Sequence, residues 1–196
     1  MKLIIVTGFL GSGKTTLILP IALELTNHRK EKVAIVENEV GQIGIDGNYL
    51  ELEGLTVQEL SSGCICCSMT NDLLDTLIKL RNAYHPDVIL IEPSGVADPE
   101  RILKTINSPL IGFTEKQVLL VVDIARFKTI MAAMFPFVQK GFDVADIVAI
   151  NKIDEVGQVA LTTLIGEIRG LTPCKKIFQI SASMGIGLSE LMNEIC

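Results

Sequence analysis

Gly8-Phe9-Leu10-Gly11-Ser12-Gly13-Lys14-Thr15 is the stretch of this 196-residue chain best suited to chemistry. A bound phosphate needs several inward-facing backbone N–H groups, and glycine lets a chain wrap that closely. The flanks give the pattern G-x-x-x-x-G-K-[ST] its meaning. The apolar run Leu3-Ile4-Ile5-Val6 precedes it and a helical pattern begins near Thr16, so strand, glycine loop and helix follow in order. The start of the helix adds unpaired N–H groups and partial positive charge. Lys14 would reach the β- and γ-phosphates, and the Thr15 hydroxyl would hold Mg²⁺.

Three further constellations lie downstream. Asn151-Lys152-Ile153-Asp154 follows a buried strand about 140 residues after the phosphate loop. A carboxylate there accepts from the ring N–H and the exocyclic amine of guanine, a pair of donors that adenine lacks. A mismatch leaves buried polar groups unpaired and is rejected strongly. Ser181-Ala182, ending the last strand, would offer a backbone N–H to the guanine carbonyl. Glu92-Pro93-Ser94-Gly95 ends another buried strand, so Glu92 is placed to bind Mg²⁺ directly or through water, and Gly95 to lend an N–H to the γ-phosphate. Asp123, ending the next strand, is a second candidate for that carboxylate. In Cys64-Ile65-Cys66-Cys67, three soft thiolates within four residues suit Zn²⁺ or Cu(I). Adjacent Cys66 and Cys67 point to different sides of a regular chain, so two thiolates plus a group from elsewhere make an easier site than all three. Glu37, Glu39 or a small added ligand would complete a tetrahedral site. Cys174 and Cys196 are isolated and read as packing residues, and His28 and His85 as surface residues.

These residues need a scaffold that gathers loops at one end. Strands are expected at Lys2–Thr7, Lys32–Glu37, Pro86–Glu92, Lys116–Asp123, Ala145–Ile150 and Lys176–Ile180, with a hairpin of Tyr49–Glu53 and Thr56–Leu60. Helices are expected at Thr16–Thr26, kinked or restarted at Pro20, and from Thr70 or Asn71 to Ala83. Asp98 should cap a helix running to Ile106, with Pro99 at its first position. Further helices are expected over Ala125–Val138, ended or bent by Pro136, and over Val156–Leu171 and Leu188–Ile195. Alternating strands and helices of this spacing make an α/β, doubly wound, mostly parallel sheet with helices on both faces.

Composition narrows the function. The net charge of −6 argues against nucleic acid, which is held by clustered positive charge. Apolar residues make up 48% of the chain and the mean hydropathy is +0.45. No run approaches the roughly 20 apolar residues of a membrane span. No secretory signal is evident, which with the clustered thiols points to reduced cysteines and a cytoplasmic protein.

Gly8–Thr16, Glu37-Asn38-Glu39, Gly63–Cys67, Glu92–Pro99 and Asn151–Asp154 together, in this order, resemble the CobW-like GTPases, relatives of the nickel-insertion GTPases of urease and hydrogenase maturation. The resemblance spans nearly the whole chain. It implies a P-loop NTPase fold, GTP hydrolysis to GDP with Mg²⁺, metal at C-x-C-C, and delivery of metal or a metal cofactor to a client metalloprotein. It carries nucleotide contacts onto Gly11, Gly13, Lys14, Thr15, Thr16, Asn151, Lys152 and Asp154, with Ser12 in the same loop, and the metal motif onto Cys64, Cys66 and Cys67. Zinc is the first candidate cargo, with cobalt, a corrinoid or nickel as others. Dimerisation across the nucleotide is common in relatives. Two other readings fit the motifs: a regulatory GTPase with structural cysteines, and a non-hydrolysing metal-binding scaffold.

The sequence departs from the family in two ways. Gln42 stands where members commonly have an acid, in N-E-F-G-E. Most members also continue into a smaller carboxyl-terminal domain, whereas this chain reads as one GTPase domain over residues 1–196, either natural or a fragment. The loops Glu37–Gly47 and Glu92–Asp98 are expected to order against the γ-phosphate and to alter the cysteine cluster between them. Lys14 and Glu92 would support the chemistry, with Glu39 or Asp46 placing the attacking water. No arginine is evident in the nucleotide loops, so hydrolysis should be slow.

Overall fold

The computed structural model describes residues 1–37, 55–59, 69–95, 98–107, 112–174 and 176–196. Among the described residues, seven strands form one parallel sheet: β1 (Lys2–Gly8), β2 (Val33–Glu37), β3 (Leu55–Glu59), β4 (Val88–Glu92), β5 (Glu115–Asp123), β6 (Ile147–Asn151) and β7 (Ile177–Gln179). Their order is β3-β2-β4-β1-β5-β6-β7. Helices α1 (Lys14–Leu23), α2 (Met69–Tyr84), α3 (Pro99–Ile106), α4 (Phe127–Val144), α5 (Gln158–Leu171) and α6 (Leu188–Ile195) cover both faces.

The unbroken apolar runs follow from burial on two sides. Along β1, Ile4 and Val6 pack with Leu17, Ile18 and Ile21 of α1 and Leu191 of α6. Leu3 and Ile5 face the other way, toward Leu77 of α2 and Ile102 of α3. On the far half of the sheet, Leu120 and Val122 join Phe142 of α4 and Ile168 of α5. Strand β1 lies between β4 and β5, and the chain crosses it in passing from one to the other. The connection leaving β1 runs to β2 on one side and that leaving β5 runs to β6 on the other, so they diverge between β1 and β5, where a crevice for a ligand opens in such sheets.

Two helices differ from expectation in their course or extent. Of the two courses expected at Pro20, a kink or a restart, the restart does not occur. The helix passes through it, and Glu24–His28 continues as a wider π-helical turn. Thr16, whose carbonyl loses the donor that proline lacks, lies at the exposed helix surface. Pro136 bends α4 rather than ending it: the backbone leaves helical geometry at Met134, then resumes to Val144, beyond the expected end at Val138. Complete burial of Phe142 and a 2.8 Å hydrogen bond from Gln139 to Asp143 hold that extra turn. Strand β3 pairs with β2 in parallel, and its expected hairpin partner, Tyr49–Glu53, lies outside the described residues. Asp98 caps α3 as expected, accepting from the Glu100 N–H at 3.0 Å, with Pro99 first in the helix. Among the described residues, no helix is long and apolar enough to cross a membrane.

Candidate nucleotide site

The glycine loop connects the end of β1 to the first turn of α1, as the flanking pattern requires. Gly13 precedes the helix with a φ of +94°, a conformation that side chains disfavour, and a Cβ there would collide with Asn151 Nδ2. Lys14 is buried (5% exposed) and its Nζ donates to the Phe9 carbonyl at 3.4 Å, so the ammonium turns back over the loop. Ser12 is buried in the loop, while Gly11 and Thr16 are exposed.

The Thr15 hydroxyl donates to Glu92 Oε1 at 2.9 Å. This joins the phosphate loop to the end of β4, and Glu92 itself is buried. The donor set is oxygen only, a hydroxyl beside a carboxylate, which fits Mg²⁺. Gly95 follows three residues later, and a side chain there would meet the Leu10 amide nitrogen at 2.6 Å. The backbone after β4 therefore lies directly against the phosphate loop, where Gly95 was expected.

Asp123, the second candidate for that carboxylate, is engaged by two cations. Its carboxylate, 2% exposed, pairs with Arg126 Nε at 2.7 Å and Lys152 Nζ at 2.9 Å, and accepts from the Arg126 N–H at 3.1 Å. Burial pushes this carboxyl up, but the hydrogen bonds from Lys152 and Arg126 outweigh it and hold the group below the usual carboxylate value. It is thus an anion committed to two cations on the base side of the loop.

The base loop lies beside the phosphate loop. Asn151 is buried, and its Nδ2 donates to the Ser12 carbonyl at 2.8 Å. Its Oδ1 accepts from the Ala182 N–H at 2.9 Å. This N–H of the Ser181-Ala182 pair orients Asn151, which ties the phosphate loop to Ser181-Ala182 through one side chain. Ser181 is buried and forms a two-way backbone bridge with Ile186. Lys152 takes a left-handed conformation (φ +64°) that turns its ammonium onto Asp123. Asp154 follows in a short 3₁₀ turn, Ile153–Glu155, with its carboxylate exposed.

Arg126 was not foreseen in this site. Its Nη2 donates to the Leu10 carbonyl within the phosphate loop at 2.8 Å. The available signal was its place three residues beyond a strand-end acid, since such a residue can turn back over the neighbouring loop.

Of the residues expected to hold a transition metal, Glu37 lies among the described ones. Cys64, Cys66, Cys67, Glu39 and Asp46 lie outside the described residues. Glu37 is buried at the end of β2, in register with Glu92 on one side and Glu59 on the other. Among the described residues, no group of three or more metal-binding side chains is brought together. His28 pairs with Glu24 at 2.7 Å and His85 is exposed, consistent with surface roles. Cys174 packs beside the α5 core with its thiol 2.9 Å from the Asp146 carbonyl, and burial pushes the Cys196 thiol up.

Residues 2–179 match the CobW/HypB/UreG nucleotide-binding domain. The chain belongs to that family. It is 41% identical over 108 residues to zinc chaperone YeiR of Escherichia coli, covering 54% of this chain and 32% of that protein. It is 26% identical over 228 residues to zinc-regulated GTPase metalloprotein activator 1 of Dictyostelium discoideum, covering 96% and 47%. Among solved structures, hydrogenase maturation factor HypB of Archaeoglobus fulgidus shares the fold, with a TM-score of 0.71 at 19% identity over 100% of this chain and 88% of that one. This CobW/HypB/UreG domain spans about a third to a half of the length of the curated relatives it matches.

Proposed function

We propose that this chain binds GTP with Mg²⁺, hydrolyses it slowly, and uses the nucleotide cycle to pass a transition metal, zinc first, to a client metalloprotein. The observation that carries the enzymatic half is the 2.9 Å contact between Thr15 and Glu92, the hydroxyl of a phosphate loop set on a strand-end carboxylate. Thr15 and Glu92 would hold Mg²⁺, which when bound neutralises charge developing on the transferred phosphoryl group. Lys14 and the loop N–H groups bind the β- and γ-phosphates. Gly95, packed on Leu10, would contribute its N–H as the loop after β4 closes. The Asp154 carboxylate selects guanine, and Asn151 fixes the distance between the base loop and the phosphate loop.

The metal half rests on Cys64, Cys66 and Cys67, with Glu37 as a further ligand, and on the relatives' names, which specify zinc. Glu37 stands in register with Glu92, so a nucleotide-dependent change at the end of β4 has a short path to it. Metal is cargo in this scheme, held in one nucleotide state and released in the other.

Phosphate release from GTP with Mg²⁺ tests the enzymatic half. The expected turnover is far below one per second, as for unassisted P-loop GTPases, with little release from ATP. Equal rates for the two nucleotides, or no release from GTP, would contradict it.

A further inference from the structure

An arginine outside the phosphate loop lies on that loop's backbone. Given the nucleotide reading above, on which this inference rests, we infer that Arg126 is a positioning residue that aims the Gly11 N–H at the nucleotide's outer phosphates. Across a planar trans peptide, C=O and N–H point in opposite directions. Arg126 Nη2 draws the Leu10 carbonyl toward itself at 2.8 Å, so the N–H of the next residue, Gly11, is turned the other way. The guanidinium sits close against this peptide: a Cβ on Gly11 would lie 2.9 Å from Nη2. Donation from a cation also polarises the peptide, which strengthens its N–H as a donor to phosphate.

Arg126 is itself held in place. Its Nε and backbone N–H both bond the Asp123 carboxylate, at 2.7 and 3.1 Å, at the buried end of β5. One fork therefore spans a fixed carboxylate and a loop carbonyl, which a lysine's single ammonium does not reproduce. The same Asp123 Oδ2 takes the Lys152 ammonium at 2.9 Å, two residues before Asp154. The phosphate cradle and the base loop thus share one anion. Arg126 is not an arginine finger in this arrangement, because its guanidinium is spent on a carbonyl and a carboxylate rather than offered to a phosphate.

The test compares GDP with GMP, each competed against a fluorescent GDP analogue, for wild type, Arg126→Ala and Arg126→Lys. An aimed N–H acting on the outer phosphates predicts about a tenfold loss of GDP affinity in Arg126→Ala, with GMP affinity held within about twofold. Arg126→Lys should lose GDP affinity by a smaller factor, again with GMP nearly unchanged, and it carries the comparison if Arg126→Ala fails to fold in a thermal melt. Equal losses for GDP and GMP would mean that Arg126 only supports the fold, and no loss for either would remove the role; both overturn the inference. Wild-type protein that does not prefer GDP over ADP overturns the nucleotide reading and this inference with it. A normal wild-type preference beside an unaltered GDP-to-GMP ratio in the variants overturns this inference alone.

Discussion

Replacing Lys14 with alanine is expected to lower GTP turnover by about 10²–10³-fold, the scale seen when one preorganised donor to a developing charge is removed. Lys14 begins α1, so the backbone fixes its starting point, and burial keeps its ammonium inside the loop over Phe9. A cation in that position acts on the phosphates where water is largely excluded, and its electrostatic contribution rises accordingly. The truncation removes no apolar packing comparable to a core leucine, so the variant should remain folded. Phosphate release at saturating GTP, beside a thermal melt, separates these effects. Unchanged turnover in a folded Lys14→Ala protein would exclude this loop as the catalytic site.

Asp154→Asn should change which base is bound rather than whether one is. Guanine offers two donors to a carboxylate, and an amide can accept from only one while setting its own N–H₂ against the other. A loss of GTP affinity of about 10⁴-fold is expected, the scale on which a site built for hydrogen bonds rejects a mismatched partner. Xanthine presents a donor next to a carbonyl, the pattern an amide matches, so xanthosine triphosphate should bind the variant better than GTP does. Competition binding with both nucleotides checks this. Equal GTP affinity in the variant and the wild type would show that Asp154 does not read the base. The Asp154 side chain is exposed in a short turn, so the substitution should leave the fold intact.

The fold was legible because burial on two faces leaves an unmistakable mark. Runs such as Val88-Ile89-Leu90-Ile91 have no polar face to offer solvent, and the helical stretches between them force parallel crossovers. The turn of the phosphate loop was legible for a related reason: Gly8, Gly11 and Gly13 all take a positive φ that side chains disfavour. Thr15 and Glu92 were named separately from their motifs, and the fold brings them together across 77 positions of sequence. Arg126 was illegible because its role depends on β1 and β5 being neighbours, which no local pattern encodes. The cation partners of Asp123 were illegible for the same reason: a strand-end acid looks alike in sequence whether it meets a metal or two cations. The helix through Pro136 was underestimated because Phe142, six residues on, anchors the continuation by long-range packing.

The central claim is linkage between nucleotide and metal, and zinc affinity tests it most directly. Reduced protein would be titrated against a chromophoric zinc chelator, alone, with GDP·Mg²⁺, and with a slowly hydrolysed GTP analogue, for wild type and Cys66→Ala. Tight zinc binding that changes with the nucleotide and collapses in Cys66→Ala is the predicted result, and by reciprocity zinc must then shift nucleotide affinity by the same factor. Weak binding, or tight binding indifferent to the nucleotide, would contradict the delivery mechanism and leave a nucleotide-binding domain whose cysteines are structural.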